Sequence, residues 1–449
     1  MSLWNQYQPS SSAPWDLKRV VHLHRRTVFG ACWNEVQRDV GDTPQAAVSR
    51  VLDGTCRSDG TLVDFENLAK TIGDAAVDSG SPERLKAWWI YRCLYSPRPL
   101  EERLTLMWHN HFATSHEKVR DLRAMKQQNE TLRKYSSAPF GELVRAISHD
   151  PATLEWLDAS SNRAGTPNEN LARELMELFV LGIGNYTERD ISEAARALTG
   201  WTTRNGNFRF VEDNHDDEPK TIFDQTGKWT GDDLVRMLLE QKSCAHRVAW
   251  RLTNEFFGEN VVSDAALDEI ADGLRERHLD VRWAVETILK SELFFSDANI
   301  QSRVTDPVSF LIIPLRALEC WRASPRTIVL ADWLDKFGQK LFYPPNVGGW
   351  DGGRSWLSTR TIIARANYAT ALTNGQLTNP ARPPAMPDSF AVIAESNACF
   401  CALSQLLCGG TNSDEIQKIV TGSAQSTSNG ELLQRCVQEF LTRPEAQLH

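Results

Sequence analysis

Two full sets of helix start and stop signals fall between Thr166 and Gly200, and no other stretch restricts the fold of this chain so closely. Thr166-Pro167-Asn168-Glu169 has the order of a capping box. Thr166 is the N-cap, Pro167 takes the first helical position where no N–H is needed, and Glu169 reaches back to the cap. The helix this predicts carries Leu171, Leu175, Leu178 and Phe179 on one side and Glu169, Asn170, Arg173, Glu174 and Glu177 on the other. Gly182 supplies its stop. Thr187 and Asp190 open a second helix with Ile191, Ala194, Ala195 and Leu198 inward, ending at Gly200. The short connection makes the two helices antiparallel neighbours.

The same grammar runs through the chain. Leu17, Val20, Val21 and His24 predict a helix ended near Phe29-Gly30, and Thr43-Pro44 starts another that closes at Gly54. Pro99 opens a helix whose Leu100, Leu104, Met107, Trp108 and His111 share a buried stripe, while His109 points elsewhere. Residues 118 to 135 read as one polar helix, and Asp150-Pro151 caps the turn into Leu154. Beyond Gly200, alternating residues flank Asn205-Gly206 and predict a small hairpin. Residues 212 to 230, with His215, Asp216, Asp217 and Lys220, read as a long polar loop. Between Phe342 and Gly353, two prolines and four glycines enforce an irregular loop that presents Asn346, Trp350 and Asp351.

The fold class expected is therefore all-α: a multi-helix globular array with one small β-hairpin and a Gly/Pro-rich loop. Residues 1–375 read as the main helical domain, with the hairpin and polar loop near 201–230. Residues 376–388 read as a Pro-rich linker, and 389–449 as a small helical tail packing on the main domain.

A net charge of -9 with no basic stripe argues against nucleic acid as a partner. No apolar run approaches the roughly 18 residues of a membrane span. The first residues lack the basic and apolar regions of a secretion signal, so the chain as written is expected in the cytoplasm. Nine cysteines without framework spacing fit reduced thiols. Cys399, Cys401 and Cys408 lie among Leu403, Leu406 and Leu407, which reads as a buried helix rather than a metal site.

Several phrases together carry a family resemblance: HLHRRTVFG, PRPLEERLTLMWHNHFATSHEKV, HDPATLEWLDASSN, TPNENLARELMELFVLGIGNYTERDISEAARALTGW, DQTGKWTGDD, and LFYPPNVGGWDGG with WLSTRTIIARANY. In this order and over nearly the whole chain they resemble the bacterial family catalogued as domain of unknown function 1800. The resemblance implies an uncharacterised helical protein. It also implies a genetic neighbour resembling sulfatases and alkaline phosphatases, and export in many members. The chain departs from the family's His-Asp-x-Gly-x-Lys pattern, reading His215-Asp-Asp-Glu-Pro-Lys220.

Candidate chemistry centres on the helices at 167–181 and 188–199, the hairpin and the Gly-rich loop. Asp158, Glu174 and His215 are the acid and base candidates, Arg173 and Arg196 the anion-holding ones, and Trp201, Asn346, Trp350 and Asp351 the binding ones. The cofactor is left open. A divalent metal would take His111 with His215, Asp158 and Glu174, since catalytic metal sites mix imidazole with carboxylate. This describes a hydrolase-type enzyme acting on an anionic or glycan substrate. The alternative is a non-catalytic helical assembly protein that partners a sulfatase-like protein, in which the polar face of the helix at 167–181 is an interface with its charges facing out.

Overall fold

The computed structural model describes residues 2–57, 62–259, 261–393, 396–410, 418 and 429–449. Its helices are α1 (Leu17–Thr27), α2 (Trp33–Val40), α3 (Pro44–Asp53), α4 (Leu62–Asp78), α5 (Pro82–Tyr95), α6 (Pro99–His111), α7 (His116–Val119), α8 (Leu122–Lys134), α9 (Phe140–Ser148) and α10 (Pro151–Trp156). Next come α11 (Asn170–Glu174) and α12 (Glu188–Ala197), then the strands β1 (Trp201–Arg204), β2 (Asn207–Phe210), β3 (Lys220–Ile222) and β4 (Gln225–Gly227). The chain continues through α13 (Gly231–Glu240), α14 (Lys242–Phe256), α15 (Asp264–Glu276), α16 (Val281–Leu289), α17 (Pro307–Ala317), α18 (Thr327–Phe337), α19 (Thr359–Thr373), α20 (Ser396–Cys408) and α21 (Asn429–Thr442). The all-α array is what the punctuation implied.

Most helix starts follow from side-chain acceptors. Thr43 accepts from the Ala46 N–H with Pro44 behind it, Thr187 and Asp190 cap each other reciprocally, and Thr230 and Asp233 do the same. Each such cap is worth about 1 kcal/mol. The expected hairpin is present, with Trp201 opposite Phe210 and Asn205-Gly206, both at positive φ, forming the turn.

Three local expectations are corrected. Thr166 does not cap a helix: it bridges Arg163, and α11 begins only at Asn170, whose N–H is taken by the Asn168 side chain at 2.9 Å. The asparagine acceptor, two residues before that N–H, outcompetes the threonine, a local Asx turn that a capping-box pattern does not anticipate. The continuation of α11 from Leu175 to Val180 is π-helical. The helix expected over 118 to 135 is broken at Arg120, which sits at φ 53° between α7 and α8. The polar stretch 212 to 230 contains the second hairpin, β3 paired with β4, because Ile222 gives it one fully buried anchor.

The buried apolar side chains form two cores. One gathers residues of α3, α9 to α16 and the 294–295 turn, the other residues of α2, α5 and α17 to α21. Four helices, α1, α6, α8 and α10, serve both. Helix α1 gives Leu23 to the first core and Val20 and Val21 to the second, while α6 gives Leu104 and Trp108 to the first and Leu106 to the second. The face of α6 left between the two cores carries Arg103, Met107 and Asn110 at helical spacing, and a cavity opens on it.

Several charged groups inside these cores are paired. Glu102 is fully buried and held by Arg92 at 2.8 Å and Arg133 at 2.7 Å. Asp150, which caps α10, is an exception because no cation faces it. It accepts from the N–H groups of Ala152 and Thr153 and from the Gln128 amide, yet burial outweighs these bonds and raises its carboxyl to about 7. The folded chain thus keeps a proton that the unfolded chain releases near the ordinary carboxyl value of 3.8. The associated stability is fully present below that value and is lost as the pH rises through about 7. The expected outcome is an unfolding free energy, read from denaturant titrations, that falls between about pH 4 and pH 7 by on the order of 4 kcal/mol at most. Asp150→Asn, which keeps the capping acceptor, should flatten that decline.

Candidate functional site

The cavity at the junction of the two cores has a volume of about 610 Å³. Four segments build it. From α6 come Arg103, Met107 and Asn110, and from α14 come Trp250, Arg251, Asn254 and Glu255, at the spacing that puts them on one face. Residues 302 to 306 add Arg303 and Asp306, and the Gly-rich loop adds Trp350, Asp351, Arg354 and Trp356. Glu259, just beyond α14, completes the rim.

The main chain of the loop is held over the cavity by the Asn110 side chain. Asn110 accepts from the Trp350 N–H at 2.7 Å through Oδ1 and donates Nδ2 to the Trp350 carbonyl at 3.3 Å, so its amide reads the main chain as a neighbouring strand would. Gly349 makes that approach possible. It has a φ of +83°, and a Cβ there would lie 2.2 Å from Asn110 Oδ1 and 2.4 Å from the Asn110 carbonyl. Asn346 shapes the turn before it, taking the Gly348 N–H at 2.8 Å.

The floor is ionic. Arg103 bonds Asp306 at 2.8 Å and Ser309 at 2.9 Å and lies 2.9 Å from Glu255, on whose other oxygen Arg303 sits at 3.5 Å. Burial opposes the charge of Asp306, but Arg103, Arg303 and the Ser309 N–H outweigh it and hold its carboxyl at about 2. Behind this layer Arg26 is fully buried and donates to the carbonyls of Phe256 at 2.7 Å and Asn299 at 2.9 Å. Beside the loop, His109 is buried among Trp89, Phe342 and Trp350, and neither ring nitrogen has a partner among the described residues. Burial lowers its pKa to about 3, so it is a neutral ring in the aromatic wall.

Arg26, Arg103 with Asn110, and Gly349 to Asp351 lie in three of the phrases that carried the resemblance. The model of the family described as Protein of unknown function (DUF1800) matches residues 22–448. The chain belongs to that family. No curated protein and no solved structure matches it.

Only part of the site expected from sequence lies at this cavity. Trp350 and Asp351 line it, and Asn346 shapes its loop. Asp158, Arg173, Glu174, Arg196, Trp201 and His215 do not line it. Asp158 lies in a smaller cleft, paired with Lys118 at 2.8 Å. Arg173 bridges Glu169 at 3.0 Å and Glu188 at 2.8 Å on the surface. Glu174 is half-buried, and burial followed by the nearby charge of Glu177 raises its pKa.

Arg196, His215 and Lys220 act together on the 215–220 loop. Arg196 bonds the Asp216 carboxylate at 2.7 Å and the Pro219 carbonyl at 3.2 Å, and Lys220 donates to the carbonyls of Asp216 and Glu218. His215 Nδ1 bonds the Thr199 carbonyl at 2.9 Å. Trp201 packs against His149, Phe208 and Gly231 in the first core. His111 is not placed to hold a metal with the others. Its Nε2 donates to the Phe179 carbonyl at 2.7 Å, and with Arg247 on Leu178 it satisfies the end of the π-helix. Burial and the charges of Arg247 and Arg251 keep the ring neutral. No group of three or more histidine, cysteine or carboxylate side chains suited to a metal occurs among the described residues.

The sequence reading passed over Arg103, Asn110, Arg251, Glu255, Glu259 and Arg303. A signal was present in α14, where Arg251 and Glu255 interrupt the apolar series Cys244, Val248, Leu252 and Phe256. The latch makes a clear prediction. Gly349→Ala should displace the loop and, with the positive φ, destabilise the chain by about 1–3 kcal/mol. Asn110→Ala should leave the fold cooperative but raise protease cleavage within residues 346–356, as limited proteolysis with mass spectrometry will show.

Proposed function

We propose that this cavity is the active site of a hydrolase-type enzyme acting on a glycan. The observation that carries the reading is a pairing of two free carboxylates with three tryptophans in one polar cleft. Among the described residues, Glu259 and Asp351 have neither an ion pair nor a side-chain hydrogen bond, whereas Glu255 and Asp306 are committed to Arg103. Glu259 lies against the loop that carries Asp351: a Cβ on Gly352 would meet its Oε1 at 3.0 Å. Trp250, Trp350 and Trp356 give the lining an apolar part, the last two largely buried, and Asn110, Asn254 and Gln339 add polar groups to it. In such a cleft one carboxyl group protonates the departing glycosidic oxygen and the other activates the incoming water, so that water adds across the C–O bond.

The test is turnover of a panel of neutral and acidic oligosaccharides by the full chain. Glu259→Gln and Asp351→Asn should each lower kcat by about 10²–10⁴-fold with the fold intact. Unchanged turnover in both would remove the assignment.

A second reading, a non-catalytic assembly protein for a sulfatase-like partner, draws on the exposed Ile328 of α18 and Ile362 and Ile363 of α19, two helices that pack together. Under that reading Ile362→Glu weakens capture of the partner and leaves any turnover intact.

A further inference from the structure

The basic side chains of the cavity floor are unequally occupied. Arg26 is committed to carbonyls, and Arg103 to Asp306, Ser309 and Glu255. Arg303 donates to the Glu255 carbonyl at 2.6 Å and stays 18% exposed. Arg251 differs from all three. Of its five N–H donors, one bonds the Met107 carbonyl at 2.9 Å, its Nε is buried without an acceptor, and no carboxylate lies in ion-pair range among the described residues.

A half-buried guanidinium without a counter-charge is costly to keep in place. Burial lowers the pKa of Arg251, the nearby carboxylates of Glu255 and Glu259 offset only part of that, and the repulsion of Arg303 adds to it. Among the described residues, only Glu255 and Asp306 form ion pairs with these four guanidiniums. Water would satisfy donors without neutralising charge, whereas an oxyanion does both, and the planar fork of arginine suits two-oxygen contacts.

We propose that Arg251 and Arg303 form an oxyanion subsite at the floor of the cavity, which takes the carboxylate or sulfate ester of an acidic sugar. The subsite rests on the reading of this cavity as a glycan site and narrows its substrate to acidic saccharides.

Two measurements on the full-length chain separate the subsite from the glycan reading. The first is thermal unfolding at low ionic strength with inorganic sulfate as the probe. Sulfate should raise the Tm of the native chain, and Arg251→Gln should remove that rise. The second is titration calorimetry with glucuronate, glucose 6-sulfate and glucose. Either acidic sugar should bind at least about tenfold more tightly than glucose, and Arg251→Gln should erase the difference. The tighter of the two acidic sugars identifies the oxyanion.

Equal binding of all three sugars, with no effect of sulfate on Tm, overturns the subsite and leaves the glycan reading standing. A sulfate effect that Arg251→Gln removes, with no sugar bound, supports the subsite and overturns the glycan reading. If Arg251→Gln does not fold, Arg303→Gln and the ionic-strength dependence in the native chain decide. A preference for acidic sugars that survives both high salt and Arg303→Gln overturns the proposal.

Discussion

Arginine side chains buried against helix ends hold this fold together. A helix leaves its last carbonyls without partners, and in a large helical array many of those ends point inward. Here Arg25 serves the end of α20 at Leu406 and Leu407, Arg26 the end of α14 at Phe256, Arg57 the end of α5 at Cys93 and Leu94, and Arg247 the π-helix at Leu178. Each guanidinium donates to at least one carbonyl at the negative pole of a helix, which offsets part of the cost of burying its charge. The resulting contacts join elements far apart in sequence. Arg26 alone ties α1 to α14 and to the 299–302 turn, and so fixes two walls of the cavity against each other.

This construction explains why the cavity lies where it does. Helices α1 and α6 belong to both cores, so the surfaces of those cores meet along them without merging. Arg26, Arg103 and Asp306 are tolerated at that junction because each has an opposite charge or a helix end within reach. Arg103 sits on one side and Asp306, the N-cap of α17, on the other, and their bond closes the junction from below. Where the supply of partners runs out, at Arg251, the junction widens into the cleft.

The helical architecture was readable because its signals are local. Thr43-Pro44, Asp150-Pro151 and Thr187 with Asp190 each place a donor and acceptor within a few residues, and the structure has all three caps. Thr166 fails for an equally local reason, since Asn168 lies closer to the first free N–H. The cleft is different in kind. Its charged groups come from positions 103, 251, 259, 303 and 351, and nothing in the spacing of residues reveals that α6, α14 and the Gly-rich loop meet. The dense stretch 154–201 drew attention because its charges are close in sequence, yet Arg173 and Arg196 are spent on Glu188 and Asp216, and Lys220 on loop carbonyls. Only Trp350 and Asp351 were both singled out from their loop and placed at the cavity.

The Asn110 amide grips residue 350 by its N–H and C=O and never touches the indole. Position and identity are thereby uncoupled in the loop: what sits at 350 and 351 can change while the backbone that displays it stays in place. Such a loop is an interchangeable head on a fixed mount.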